Sequence, residues 1–385
     1  MNRSFQVFPA TAVEQVTLGT FRSYAHLRLS VDPAPVVVLG PNGAGKTNLL
    51  EALSFLAPGR GLRGAALAEV AHRPTPAAPP APGWGVAVRL RVGRGALTEI
   101  GTGCDAATGM DRRVVRVDGR TLSGQAGLGN HLAVLWLTPD MDGLFRGSAT
   151  PRRRFLDRLV NALDPAHASR AAAYARAQRE RQRLLREPRP PGAWLDALED
   201  GLARHGIALT AARLDLIERL AVATHDTDAP FPGVHLALHS DCATWLARGP
   251  ALAAEDRLRA LFAHSRARDA ASGQTTQGPH RDDLLATHAG QGIPAPRCST
   301  GEQKALLVAL ILALARVLAG LRGQAPLLLL DEGTAHLDAR RRAGLGELVA
   351  GLGAQAWITG ADAQPFESWE KTAQFLRLEA GGVVH

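Results

Sequence analysis

Gly40-Pro-Asn-Gly-Ala-Gly-Lys-Thr47 follows the short β-branched run Pro35-Val-Val-Val-Leu39 and precedes Asn48-Leu-Leu-Glu-Ala-Leu-Ser-Phe-Leu56, whose apolar residues recur at helical spacing. Strand, glycine loop, helix is the setting of a phosphate-binding P-loop. Gly40, Gly43 and Gly45 would let backbone N–H groups curl round phosphates without Cβ atoms in the way, at a helix N-terminus that already favours anions. Pro41, Asn42 and Ala44 complete the loop. Lys46 would reach the β- and γ-phosphates, and the Thr47 hydroxyl would hold Mg²⁺. A plain glycine turn with a surface lysine would not need both flanks. The loop specifies a nucleotide but not the machine that uses it.

A chain of 385 residues has room for one large domain or two of ordinary size. The net charge of +8 and pI near 10.3 favour a polyanionic partner, although Arg-rich sequences also come from GC-rich genomes. Cys104, Cys242 and Cys298 lie far apart, without metal-ligand spacing, which suits a reduced, cytoplasmic protein. Met1-Asn-Arg-Ser-Phe-Gln6 lacks the apolar core of a signal peptide, and the run Ala305 to Ala315 is too short to span a bilayer. No membrane partner is expected, and Ala305 to Leu318 reads as a buried helix.

Working outward, Val16 and Leu18, then Leu27, Leu29 and Val31, alternate on either side of Phe21-Arg-Ser-Tyr24, predicting two strands that lead into the P-loop strand. Five prolines between Ala71 and Gly83 mark an exposed loop. Alternation returns over Val86 to Val92 and Arg113 to Val117, where Asp118-Gly119 is a hairpin signal, so an antiparallel β section is expected here. A last strand, Leu132 to Leu137, ends at Thr138-Pro139. The chain then turns helical: Thr150-Pro151 opens a helix with Phe155, Leu156, Leu159, Val160 and Leu163 on one face. Further helices are predicted over 166–187, 193–223 and 252–267, with a strand over Val234 to His239.

Between Asp140 and Arg189 twelve arginines face six acids, which places +6 of the total +8 in this segment. It reads either as a solvated helical face with Glu180 and Glu187 as partners, or as a track for phosphates in which Arg176, Arg179 and Arg183 are the candidates.

The second half of the nucleotide site is Pro326-Leu-Leu-Leu-Leu-Asp-Glu332, an apolar strand ending in two carboxylates, the form of a Walker B element. Asp331 would join the Mg²⁺ shell, and Glu332 suits activation of the attacking water. Ahead of it, Cys298-Ser-Thr-Gly-Glu-Gln-Lys304 opens the apolar helix. Ser299 reads as its N-cap, with Glu302 completing a capping box. The same Ser-x-Gly-x-Gln start resembles the signature motif of ABC-type ATPases. That resemblance implies that Ser299, Gly301 and Gln303 of one subunit close over the nucleotide held by another. Asp338, in Ala335-His-Leu-Asp338, matches the Asp that crosses such an interface, and also reads as an ordinary helix cap. The usual switch His is replaced by Thr359, the candidate in Ala356-Trp-Ile-Thr-Gly360, and the usual Gln is missing at Thr138-Pro139.

Taken together, Leu18 to Leu27, Gly40 to Asn48, Trp136-Leu-Thr-Pro139 with Arg152-Arg-Arg-Phe-Leu-Asp157, Gly278-Pro-His-Arg-Asp-Asp283, Ser299 to Lys304 and Asp331-Glu332 with Asp338 resemble the RecF family. The resemblance implies an α/β fold, an ABC-type P-loop ATPase lobe with an antiparallel β section plus an inserted, mostly helical arm domain. The expected boundaries are 1–138 and 266–385 for the two parts of the lobe and 139–265 for the arm. It implies a slow, ATP- and Mg²⁺-dependent ATPase of recombinational repair that forms an ATP-dependent homodimer. It further implies binding to double-stranded and gapped or single-strand-containing DNA, and work with RecO and RecR to load RecA. The role of His280 and Arg281 stays open.

Two other classes share the loop, signature and Walker B. A transporter's nucleotide-binding subunit would not need roughly 250 residues between Thr47 and Ser299. An SMC-type chromosome protein head would need a long coiled coil, and no sustained heptad runs between Pro139 and Ser265.

Overall fold

A computed structural model describes residues 11–75, 77–92, 97–105, 112–188, 191–224, 230–379 and 382–384. Pro76 of the proline-rich stretch and Arg189 of the basic segment lie outside the described residues. The chain divides into two compact units, Met1–Asp142 with Asp226–Gly233 and Ser299–His385, and Gly143–His225 with Val234–Cys298.

In the first unit, β1 (Thr11–Phe21) and β2 (Tyr24–Ser30) pair antiparallel, with Phe21 opposite Tyr24 across the Arg22-Ser23 turn. β3 (Val36–Leu39) feeds the glycine loop and α1 (Lys46–Ser54). β4 (Gly83–Val92), β5 (Leu97–Asp105), β6 (Val114–Val117) and β7 (Arg120–Thr121) complete an antiparallel sheet of order β2-β1-β4-β5-β6-β7. Asp118 and Gly119 are both left-handed, at φ 48° and 77°, as a two-residue hairpin turn requires. Alternation of large residues does not reveal β5, because its half-exposed positions include Gly101 and Gly103. A Cβ at Gly103 would come within 2.3 Å of the Trp84 carbonyl oxygen on β4, so close strand approach demands glycine there. The chain then leaves this sheet, and β8 (Val134–Leu137) belongs to a second one.

The second unit contains α2 (Ala149–Leu163), α3 (His167–Leu184), α4 (Gly192–Ala223), β9 (Val234–His239), α5 (Asp241–Leu246), α6 (Ala251–Ser272), β10 (Asp283–His288) and β11 (Ile293–Pro294). α2 buries Phe155, Leu156, Leu159 and Val160, and Tyr174, Leu202, Ile207, Leu258 and Phe262 form a core among the longer helices. The unit runs past the expected return at 266. β10 pairs antiparallel with β9 from Asp283 opposite His239 to His288 opposite Val234, which draws the chain as far as Cys298 into this unit.

The chain re-enters the first unit with α7 (Thr300–Arg322), β12 (Leu327–Leu330), α8 (Ala339–Gly351), β13 (Ala356–Gly360), β14 (Gln374–Glu379) and β15 (Gly382–Val384). The second sheet has the order β15-β14-β3-β13-β12-β8 and is parallel except at β15. β3, β8 and β12 are buried throughout, which explains their unbroken apolar sequences. Alternate residues, Val36, Val38, Trp136, Leu327, Leu329 and Trp357, enter one core with Leu49 and Leu53 of α1 and Val16, Val86 and Val88 of the antiparallel sheet. By length and composition α7 could cross a membrane, yet it is buried continuously from Gln303 to Ala315 and serves as a core helix.

Candidate functional site

The loop between β3 and α1 is held open by its glycines. A Cβ at Gly40 would stand 2.3 Å from the Leu378 carbonyl oxygen of β14, and φ there is 153°. Gly45 caps α1 at φ 102°, where a Cβ would stand 2.7 Å from the Tyr24 hydroxyl. That hydroxyl donates to the Gly45 carbonyl at 3.0 Å, which gives Phe21-Arg-Ser-Tyr24 a role in shaping the loop. Burial raises the pKa of the Tyr24 phenol, so it stays a donor. α1 has neither a side-chain cap nor an acid in its first turn, which leaves its N-terminal N–H groups suited to an anion. Lys46 folds back on the loop, its Nζ donating to the carbonyl oxygens of Gly40 at 2.5 Å and Pro41 at 3.0 Å. Ala44 packs into the core, while Pro41, Asn42 and Gly43 are exposed.

Parallel strands then bring three elements together. The Thr47 hydroxyl donates to the Asp331 carboxylate at 3.0 Å, and the Thr359 hydroxyl donates to Asp331 Oδ1 at 2.8 Å. The Glu332 N–H in turn donates to Thr359 Oγ1 at 2.8 Å. Leu330 sits opposite Ile358 in the β12–β13 register, so the next residues, Asp331 and Thr359, meet at the strand ends. Thr359 is fully buried and Asp331 nearly so. Glu332 adopts φ 49°, a left-handed conformation costing roughly 1–3 kcal/mol for a side chain of this size, and its residue is exposed.

The Thr47 hydroxyl and Asp331 carboxylate fit Mg²⁺: both are hard oxygen donors, already converged. Mg²⁺ is commonly held by one or two protein oxygens with phosphates and water completing its octahedron. Among the described residues no group of three or more His, Cys, Asp or Glu forms a separate metal cage.

Ser299 caps α7 as expected: its Oγ accepts from the Glu302 N–H at 3.3 Å, and Glu302 Oε2 accepts from the Ser299 N–H at 2.9 Å. A Cβ at Gly301 would lie 2.9 Å from the His336 carbonyl oxygen, so the start of α7 packs against the loop that carries Asp338. Asp338 caps α8, accepting from the Arg341 N–H at 2.8 Å. Ser299 and Asp338 are exposed, and Gln303 is buried.

The basic segment divides. Arg176 and Arg179 are exposed. Arg183 is exposed but shared between Glu180 at 2.7 Å and Glu187 at 3.1 Å, and the hydrogen bond to Glu180 raises its pKa. Arg181 is fully buried between Glu199 and Asp269, at 2.8 Å from each, and donates to the Phe262 carbonyl. Gly278 to Asp283 is likewise structural in its contacts. The Tyr174 hydroxyl and His280 Nδ1 are 2.9 Å apart, His280 Nε2 donates to the Thr275 carbonyl, Arg213 bonds Asp282 at 2.8 Å, and Arg152 grips Asp283. Burial lowers the His280 pKa, favouring the neutral ring that this arrangement uses. Arg281 is exposed.

Sequence reading left Glu51 unremarked. It is fully buried on α1, gripped by both arms of Arg22 at 2.6 and 2.9 Å, and met by Arg63 at 3.0 Å. A lone Glu in an apolar helix face was the available signal.

Residues 36–74 match a family model described as "AAA domain, putative AbiEii toxin, Type IV TA system". The "DNA replication and repair protein RecF" of Rhizobium meliloti (strain 1021) is 48% identical over 374 residues, covering 96% of this chain and 97% of that one. The fold matches a solved recombination mediator protein RecF-ATPrS of the RecFOR pathway with TM-score 0.84 at 20% identity, covering 98% of each chain. It matches an Smc head domain derived from Pyrococcus furiosus, with an extended coiled coil and bound to the C-terminal domain of ScpA, with TM-score 0.52 at 15% identity, covering 97% of this chain and 96% of the other.

Proposed function

This chain belongs to the RecF family of DNA replication and repair proteins, and on that premise we propose that ATP closes it into a homodimer that holds DNA and that hydrolysis releases it. The observation that carries this reading is the convergence of Thr47, Asp331, Glu332 and Thr359 beside the glycine loop. ATP lies on the loop from Gly40 to Thr47, with Lys46 leaving its two carbonyl partners for the β- and γ-phosphates. Thr47 and Asp331 would hold Mg²⁺, which would supply neutralising charge at the phosphates. Glu332 takes a proton from the attacking water. Thr359 holds the Asp331 carboxylate and the Glu332 backbone in register, at the point where related ATPases commonly place a His.

Ser299, Gly301 and Gln303 of the second subunit close the site, and Asp338 crosses the same interface. A triphosphate between two such lobes brings together charges that neither satisfies alone, so nucleotide stabilises the dimer by linkage. Hydrolysis is slow and acts as a timer. DNA, gapped or single-strand-containing duplex, is held mainly through its phosphates, with Arg176, Arg179 and Arg183 among the contacts. RecR and RecO are the partners, and loading of RecA is the outcome. The test is the oligomeric state and DNA affinity of wild type and Lys46→Met with and without ATP. Wild type is expected to dimerise and to bind DNA more tightly with ATP, and the variant to do neither. A wild type that stays monomeric with ATP and binds DNA equally well without it would sink the proposal.

A further inference from the structure

Lys304 is the residue that the capping of α7 leaves unexplained. It stands five positions beyond the Ser299 cap, with 0% of its side chain exposed, at the head of a helix that is otherwise apolar from Ala305 to Ala315. Its Nζ bonds Asp142 Oδ1 at 2.8 Å. A cation near the positive end of a helix dipole is electrostatically ill placed, and burial removes its hydration. A helix that needed stability alone would carry a leucine or methionine there, because buried ion pairs seldom outperform apolar residues of the same size. What a buried pair does well is fix one register among several.

The register it fixes is that of the signature. Asp142 follows the short turn Pro139–Met141 after β8, and the last residue of β8, Leu137, accepts the Asp331 N–H at 2.9 Å. The Lys304–Asp142 bond therefore ties the start of α7 to the strand beside Walker B. From the other side, Gly301 abuts the His336 carbonyl of the loop leading to Asp338. Between these two contacts the rotation and height of the first turn of α7 are set, and with them the places of the Ser299 hydroxyl and the Gly301 N–H.

We infer that Lys304 and Asp142 are positioning residues for hydrolysis in the partner subunit: their ion pair, buried at Lys304 and half-buried at Asp142, sets the signature turn that closes over the other chain's nucleotide. The inference rests on the trans-acting signature proposed above. Neither residue belongs to the glycine loop or to the Thr47–Asp331–Thr359 cluster, so loss of the pair leaves binding of ATP by the single subunit intact. A displacement of the signature by about 1 Å is enough to lower hydrolysis by roughly a hundredfold.

The test is complementation between full-length chains that are each inactive. Glu332→Gln loses the water-activating carboxylate but carries an intact signature. Mixed with it, a chain defective only in its signature regains one complete composite site per heterodimer. Random pairing then restores about a quarter of wild-type ATPase, since half of the dimers are heterodimers with one good site of two. Three chains are each mixed with Glu332→Gln: Ser299→Arg, Asp142→Asn, and the double variant Asp142→Leu/Lys304→Met, which leaves no lone buried charge and so keeps the fold if a single change does not. ATP affinity of each chain alone, read with a fluorescent analogue, is expected within about threefold of wild type, against a loss of roughly a hundredfold in hydrolysis. Restoration by all three supports the inference. Restoration by Ser299→Arg but by neither pair variant overturns it while leaving the trans signature standing. Failure of Ser299→Arg overturns the trans signature, and the inference with it. Wild-type hydrolysis by the double variant alone overturns the inference directly.

Discussion

Thr359→Val removes one hydroxyl and keeps the shape of the side chain, so its effect isolates two hydrogen bonds. The hydroxyl donates to Asp331 Oδ1 at 2.8 Å and accepts from the Glu332 N–H at 2.8 Å, at a position with no exposure. A hydrogen bond to a charged group contributes roughly 1.5–3 kcal/mol, and a buried donor left unpaired costs about 1–3 kcal/mol. These overlap, so about 3 kcal/mol is a fair bound on the positioning energy, which corresponds to roughly a hundredfold in rate. The loop from Gly40 to Thr47, which on the proposed function grips ATP, keeps its contacts. The expected result is therefore asymmetric: single-turnover hydrolysis falls between about tenfold and a hundredfold, ATP affinity moves by less than about threefold, and Thr359→Ser restores most of the rate. The stability of the fold also falls, by about 1–3 kcal/mol in urea unfolding, because the Glu332 N–H loses its acceptor. Wild-type hydrolysis by Thr359→Val, with stability reduced as stated, would refute the reasoning: the hydroxyl would then be a buried structural contact and nothing more.

Arg176→Glu combined with Arg179→Glu is expected to weaken DNA binding at about 50 mM salt and to flatten the salt dependence by about two contacts, read by fluorescence anisotropy at two salt concentrations. Arg183→Glu alone should change it less, because Glu180 and Glu187 already offset that charge. Asp157 feels burial, which pushes its pKa up, but hydrogen bonds from His167 and Arg213 outweigh this and hold it at about 2. Being depressed in the folded state, it contributes stability that is present above its ordinary value near 3.8 and lost as pH falls through about 2; the loss is roughly 2 kcal/mol. Asp157→Asn should remove that acid-side slope of melting temperature, and an unchanged slope would reject the assignment. Ser299→Asp keeps an N-cap of equal strength but sets a negative charge where a triphosphate would arrive. Thermal stability is expected to hold while ATP-driven dimerisation is lost, and a variant that still dimerises on ATP would show that Ser299 only caps α7.

What was legible in the sequence is what local chemistry dictates. The glycine loop, the Walker B strand and the α7 cap each use residues within a few positions of one another, so spacing alone reveals them. The Asp118-Gly119 turn follows from the need for left-handed backbone. β5 escaped because close strand approach selected Gly101 and Gly103, which erases the alternation that marks a strand. Lys304 with Asp142, Arg181 with Asp269, and Glu51 with Arg22 escaped for a different reason. Their partners lie 162, 88 and 29 residues away in the chain. Each reads in isolation as a misplaced charge in an apolar setting, and only the fold supplies the counter-charge. The place where the chain re-enters the first unit was missed likewise, since β9 and β10 are joined by pairing and not by sequence pattern.

The charge excess that first suggested a polyanionic partner is the clearest case of a sum that misleads. Arg152 is bound to Asp283, Arg170 to Asp164, Arg181 to Glu199 and Asp269, and Arg183 to Glu180 and Glu187, while Arg153 donates to the Asp282 carbonyl. Arg152, Arg153 and Arg181 tie α2 and α3 to other elements of the unit, Arg181 from full burial, where Arg serves because it stays charged and presents a planar fork, while Arg170 and Arg183 bond acids close by in the chain. Arg154, Arg176, Arg179 and Arg186 stand exposed. A DNA track on this unit therefore rests on a few guanidiniums and not on the full segment. The salt dependence it can generate is correspondingly small, near one unit of slope per phosphate neutralised. Such a track would be too weak to hold DNA at physiological salt from a single chain. Two copies of it, if ATP joins two chains as proposed, would double the number of phosphate contacts and multiply their affinities through effective concentration. On the proposed function, weak contacts in each chain would make DNA binding depend on nucleotide, whereas a stronger track would hold DNA whether or not ATP was bound.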